Sequence, residues 1–337
     1  MYKRIQQELV CPICKSKFTW HIKNEDEDQI YDAEAICDDC GCSYPICSGM
    51  AFFLKPKYND LRIWKKCDRS NYKKIDDSIK KNILEKGNEE LSQEELLVKI
   101  ALIENAEIEG KDEVAELYEL YFYKQGMEKS LGYIYDLIKT LLNDMSGNED
   151  DIVLDFASGR GLLAYELSKN ISGHLVVSDI NPLILEKCSN YIESYAYDKK
   201  AKVSYIAFDM KMNPFRDGGV DVLTTLFGLQ NILHTKNLLH EIARITKKVF
   251  YTISSYCETD YAENVTLLKK YEIYDVWRRE ILENHLIQNG FKSGTKMLAF
   301  VDSILPPDNN SISSGFAVTK FPCVETTIEY ALDKFQR

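Results

Sequence analysis

From Asp151 onward, short apolar runs alternate with amphipathic stretches. Residues 152–156, 175–178, 203–208, 220–227 and 249–254 read as strands. Residues 159–169, 183–195, 237–245 and 263–288 read as helices. Two further strands are expected at 295–302 and 315–321. The proline- and asparagine-rich stretch between them offers no helix, so they are expected as an antiparallel pair at one edge. Repeated β-α-β units predict an α/β fold, Rossmann-like, with a mainly parallel sheet covered by helices on both faces. The middle of the chain, 58–146, is nearly free of Gly and Pro and reads as a helical connector and candidate lid. Apolar positions recur at helical spacing over 96–103, 117–122 and 128–145, and Ser92 with Glu95 has the spacing of a capping box.

The first 57 residues follow a different rule. They contain Cys11, Cys14, Cys37, Cys40, Cys42 and Cys47, six of the ten cysteines in the chain. Cys11-Pro12-Ile13-Cys14 and Cys37-Asp38-Asp39-Cys40 are separated by 22 residues. Two such knuckles can converge four thiolates on a tetrahedral Zn²⁺, which leaves no open position for catalysis. Cys11, Cys14, Cys37 and Cys40 are therefore the expected ligands of a structural zinc. Gly41 is expected to relieve the second turn. Cys42 and Cys47 read as small apolar side chains, with substitute ligation as the alternative. The stretch 44–54 reads as strand-like.

Composition narrows the function classes. With 337 residues, a domain size of about 100–200 residues suggests two domains. The net charge of −11 disfavours a broad nucleic-acid footprint, although 62–81 carries eight basic and three acidic residues. No apolar run approaches the ~20 residues that span a bilayer, and the start is not that of a secretory signal, so an intracellular, cytoplasmic protein without membrane contact is expected.

The strand ends carry the candidate chemistry. The first ends in Asp155-Phe156-Ala157-Ser158-Gly159-Arg160-Gly161, the second at Asp179 and the third at Phe208-Asp209-Met210. Ligands of such sheets bind at these carboxyl ends, where small residues allow close approach and a carboxylate past the second strand can accept from ribose hydroxyls. Asp209 can accept from an adenine amine. Gly159-x-Gly161-x-x-Ala164 also satisfies a dinucleotide fingerprint. A pyrophosphate would be repelled by Asp155, whereas S-adenosylmethionine offers ribose, adenine and positive charge without phosphate.

These residues resemble class I S-adenosylmethionine-dependent methyltransferases. The first motif is Val153–Gly161, with Ala157 where that family often has Gly; Val177–Pro182 is similar to the second and Phe208–Phe215 to the third. The resemblance implies a seven-stranded sheet over 147–337, with Asp155, Ala157, Gly159, Gly161, Asp179, Ile180, Asp209, Met210 and Phe227 lining the cofactor. Phe227-Gly228-Leu229-Gln230-Asn231 is similar to quinone-biosynthesis C-methyltransferases, where Arg often replaces Gln230. The segment 11–54 resembles the zinc ribbon of tRNA-methyltransferase activators.

The resemblance implies in-line methyl transfer to a small-molecule acceptor. An RNA base methyltransferase is the first alternative, since zinc ribbons are fused to some rRNA guanine methyltransferases. A non-catalytic cofactor-binding or activator protein is the second. No catalytic residue is assigned. His234, Tyr251 and Tyr256 are the candidates for a base, needed only if the acceptor must lose a proton.

Overall fold

The computed structural model describes residues 1–55, 81, 85, 127–145, 147–159, 161–196, 198–257, 261–304 and 321–337. A single helical turn, α1 (Lys3–Gln6), precedes four strands: β1 (Phe18–Glu25), β2 (Ile30–Cys37), β3 (Ser43–Cys47) and β4 (Met50–Phe53). These pair antiparallel in chain order. The stretch 44–54, expected as strand-like throughout, is thus a hairpin. Ser48 and Gly49 take φ of 50° and 82°, the left-handed pair that closes a two-residue loop and sets Cys47 opposite Met50.

The remaining elements are α2 (Met127–Asp144), β5 (Ile152–Phe156), α3 (Leu162–Asn170), β6 (His174–Asp179), α4 (Pro182–Tyr195), β7 (Lys202–Phe208), β8 (Val220–Leu226), α5 (Thr235–Ile245), β9 (Thr246–Cys257), α6 (Ala262–Lys270), α7 (Arg279–Gln288), β10 (Thr295–Ile304) and β11 (Thr326–Gln336). Among the described residues, eleven strands form one sheet, ordered β1-β2-β3-β4-β7-β6-β5-β8-β9-β11-β10. Its centre, β7-β6-β5-β8-β9, is parallel, and every residue of β5 is buried, as the continuous apolar run requires when helices cover both faces. The chain leaves β5 toward β6 and β7, then returns to β8 and β9 on the other side. The switch point therefore lies between β5 and β8.

The structure refines the expected arrangement. Among the described residues, 147–337 contributes seven strands, β5–β11, and the sheet reaches eleven because β4 pairs in parallel with β7, from Met50 opposite Tyr205 to Phe53 opposite Phe208. This adds the four cysteine-rich strands to that edge. The antiparallel partner of β10 is β11 at 326–336, while 315–320 of the strand expected at 315–321 lie outside the described residues. Its β-branched start, Thr326-Thr327-Ile328, and its near-complete burial between β9 and β10 mark it as a strand. Finally, 263–288 is two helices. Glu272 takes φ of 52°, and a tight turn over Tyr274–Val276 is held by buried Ile273, Val276 and Trp277.

Helix α2 presents Ile134, Leu137, Ile138 and Leu141 to the core, the face its periodicity predicts. Tyr133 stacks on Phe300 of β10 at 4.3 Å between centroids. The expected helices at 96–103 and 117–122, and the basic stretch at 62–81 apart from Lys81, lie outside the described residues. No described helix is long and apolar enough to cross a membrane.

Candidate ligand-binding edge and cysteine cluster

The loop after β5 is a chain of left-handed residues: Ala157, Gly159 and Gly161 have φ of 50°, 53° and 85°. Two serine contacts close it. Ser158 N–H donates to the Ser178 carbonyl at 2.9 Å, and the Ser158 hydroxyl donates to the Asp155 carbonyl at 2.8 Å. Gly161 begins α3, and a Cβ there would lie 2.4 Å from Cys188 Sγ of α4. Gly is required at 161 for both backbone angle and space.

Asp155 is 1% exposed. Its Oδ1 accepts from the Thr224 hydroxyl at 3.1 Å, and its Oδ2 is buried without a hydrogen-bond partner. Burial pushes its pKa up to about 7. The neighbouring Asp179 charge pushes the same way, while the Ser158 and Thr224 hydroxyls oppose the shift. Asp179, at the end of β6, accepts from Gly159 N–H at 3.1 Å and Asn181 N–H at 2.9 Å. Burial raises its pKa as well. A carboxylate has about four acceptor positions, so about two remain for a ligand. Ile180 follows with half its surface exposed, an apolar side chain left open beside an acid.

Asp209 caps a short turn, Met210–Met212, and its Oδ1 accepts from Lys211 N–H at 3.0 Å. Met210 is buried. Across the switch point, Phe227 takes φ of 56°, donates its N–H to the Ile253 carbonyl at 2.8 Å and sets its ring edge-on to Tyr330 at 6.0 Å. All nine residues expected at the site thus sit at the carboxyl ends of β5, β6, β7 and β8 or in the segments that directly follow them. The three candidate bases are engaged elsewhere. His234 is exposed and its Nδ1 lies 3.0 Å from Glu272. Tyr251 donates to Asp144 at 2.6 Å and Tyr256 to Asp333 at 2.8 Å.

Sequence reasoning did not single out Thr224, Gly228 or Cys188. Thr224 is the hydroxyl against Asp155. A Cβ at Gly228 would meet Thr225 Oγ1 at 2.1 Å and Ala157 Cβ at 2.9 Å, so the loops after β5 and β8 close on each other only with Gly there. The paired threonines Thr224 and Thr225 at the carboxyl end of a buried strand are the signal available for the first. Cys188 leaves none, since its contact with Gly161 is tertiary.

In the amino-terminal strands, the sulfurs of Cys11, Cys14, Cys37 and Cys40 all lie within 4.8 Å of one another. Cys14 and Cys37 sulfurs are 3.3 Å apart, Cys11 and Cys40 sulfurs 3.6 Å. A tetrahedron with Zn–S bonds of about 2.3 Å has edges of roughly 3.8 Å, so the four donors fit a zinc ion with small adjustment. Cys40 N–H points at Cys37 Sγ at 3.5 Å, and the Ser16 backbone N–H is the chief cause that draws Cys14 down to about 6. Both turns pass through left-handed backbone, Gly41 at φ 68° and, unforeseen, Lys15 at 62°. Cys42 and Cys47 stay outside the four-sulfur group and pack against the core.

Fold and site together are an α/β arrangement with a ligand edge: a parallel sheet closed by an antiparallel strand, with acids and glycines at the switch point. The profile of the ubiE/COQ5 methyltransferase family matches residues 125–290. The ubiquinone/menaquinone biosynthesis C-methyltransferase UbiE of Pseudomonas paraeruginosa is 30% identical over 141 residues, 40% of this chain and 54% of that protein. The protein of the same description from Stutzerimonas stutzeri is 28% identical over 148 residues, 42% and 56% respectively. The chain spans about half the length of these curated relatives. Among solved structures, the YcgJ protein of Bacillus subtilis aligns with a TM-score of 0.48 and 14% identity, over 60% of this chain and 98% of that one.

Proposed function

We propose that this protein is an S-adenosylmethionine-dependent methyltransferase with a small-molecule acceptor and a structural zinc in its amino-terminal strands. The observation that carries the cofactor reading is Asp155 Oδ2, buried and without a partner at the mouth of a left-handed glycine loop. A buried acceptor without a donor costs about 1–3 kcal/mol, more when charged, and a cationic ligand removes that cost. A pyrophosphate would add repulsion. When bound, the cofactor supplies a methyl group already activated on a sulfonium.

The residues of this chain then have separable tasks. Asp155 faces the positive amino-acid end of the cofactor, and Thr224 fixes the carboxylate's rotamer. Asp179 offers its remaining lone pairs to the ribose hydroxyls, while Gly159 N–H holds it in place. Asp209 accepts from the adenine amine, with Ile180 and Met210 as apolar neighbours of the ring. Phe227 and Tyr330 border the space on the acceptor side. No base is assigned, since in-line transfer rests first on holding the acceptor at attack distance. The small acceptor is supported by the descriptions of the matched relatives and by the net charge of −11. Cys11, Cys14, Cys37 and Cys40 would hold zinc with all four positions filled by protein, which gives the metal a folding role.

Titration calorimetry with S-adenosylmethionine tests the cofactor reading: one site per chain is expected, weakened at least tenfold by Asp155→Asn. RNA affinity that falls steeply with salt would instead support a nucleic-acid acceptor.

A further inference from the structure

Beside the cysteine cluster, a buried charge group joins the amino-terminal strands to the turn that carries Asp209. Lys15, the residue after Cys14, donates from Nζ to Glu241 Oε2 at 2.9 Å and to the Asn213 carbonyl at 3.0 Å. Glu241, on α5, is 7% exposed, and Asn213 is fully buried. The Asn213 amide donates to the same Glu241 oxygen at 3.0 Å. Arg244, one turn further along α5, donates to both Glu241 oxygens at 2.7 and 2.8 Å, and to Asn213 Oδ1 at 3.2 Å. It also holds the Phe215 carbonyl at 2.7 Å and Asp217 at 2.8 Å.

The group therefore encloses residues 213–217. The backbone closes the same clamp from the other side: Val10 N–H donates to the Pro214 carbonyl at 2.6 Å and Arg216 N–H to the Glu8 carbonyl at 2.9 Å. Asn213 immediately follows the turn Met210–Met212 that Asp209 caps. Burial of Glu241 is costly to its charge, and the two cations offset that cost and hold its pKa below the ordinary carboxylate range. Such a group adds little net stability over an apolar packing, but it fixes geometry, because removing one member strands the others.

We propose that Lys15, Glu241 and Arg244 are positioning residues for adenine recognition: they transmit the placement of the first cysteine knuckle to Asp209 and Met210. The inference rests on the cofactor reading above. None of the three touches the cofactor. They act through Asn213, which ends the turn and cannot shift without breaking the hydrogen bonds on both of its sides.

The test uses the zinc-loaded full chain and S-adenosylhomocysteine as the probe. Lys15→Met and Glu241→Gln are each expected to raise its Kd about tenfold while the zinc content stays at that of the unmodified chain. Lys15→Arg, which keeps the donors, is expected to restore binding to within about threefold. In an Asp209→Asn background, Lys15→Met is expected to add less than about twofold, because the interaction it supports is already gone. A purely structural role would lower affinity equally in both backgrounds. Unchanged affinity in zinc-loaded Lys15→Met, or additive losses with Asp209→Asn, overturns the inference and leaves the cofactor reading standing. If Glu241→Gln does not fold, Lys15→Met decides alone, since Lys15 is only half-buried. Absence of binding by the unmodified chain overturns the cofactor reading and this inference with it.

Discussion

At the scale of single residues, the titration of Asp155 governs how ligand binding depends on pH. Its folded pKa of about 7 lies well above the ordinary carboxyl value of about 4. Between those values the folded protein holds a proton that the unfolded chain has lost. Folding of the ligand-free protein is therefore expected to weaken as pH rises from about 4 to 7, since there the native state binds more protons. A cationic ligand prefers the carboxylate. Affinity is expected to rise through pH 7, and binding at pH 6 to release close to one proton. Calorimetry in two buffers of different ionisation enthalpy measures that release, and equal heats in both would show that Asp155 is not the group that meets the charge. Gly161 makes a second residue-scale prediction. Gly161→Ala is expected to cost about 1–3 kcal/mol in denaturant unfolding, from the left-handed backbone and the Cys188 contact together. Cys188→Ala should recover only the steric share.

At the scale of elements, β4 joins the four-cysteine knuckles to the parallel sheet through its pairing with β7. Metal binding at such sites is worth on the order of 10–16 kcal/mol, enough to hold short strands with little core of their own. Cys14→Ser is expected to abolish zinc retention, measured by metal analysis of the purified protein; full retention would refute the ligand set. Phe53, buried on β4 and stacked on Tyr44 at 5.2 Å, ties the knuckles to β7. Phe53→Ala is expected to cost about 3–5 kcal/mol, read from the denaturant midpoint. Strands β5 to β9 were legible in the sequence because burial on both faces leaves short stretches rich in apolar and β-branched residues, and α2 because its apolar positions keep one period. Strand β11 was not. Its sequence, Thr326–Gln336, mixes charge with apolar residues because Lys334 and Asp333 are satisfied by tertiary partners, Asp144 and Arg279. The break between α6 and α7 was hidden for a related reason: Glu272 carries no glycine signal for its left-handed backbone.

At the scale of the whole molecule, one continuous sheet carries the knuckles at one edge and an antiparallel strand pair at the other, with the candidate cofactor site at the switch point between. The acids and glycines of that site were legible because their types and their spacing after apolar runs follow from the chemistry of the ligand. The pairing of β4 with β7 was not, since a parallel contact between segments about 150 residues apart leaves no local pattern. That pairing extends the sheet beyond the seven strands expected, and it brings Lys15 to Glu241. In the proposed function, the carboxyl edge of β5, β6 and β7 binds S-adenosylmethionine through Asp155, Asp179 and Asp209. The most direct test is a calorimetric titration of the full chain with that ligand at pH 7.5, beside Asp155→Asn. One saturable site is expected, weakened at least tenfold by the substitution. No binding to the unmodified chain, or equal binding by both, would contradict it.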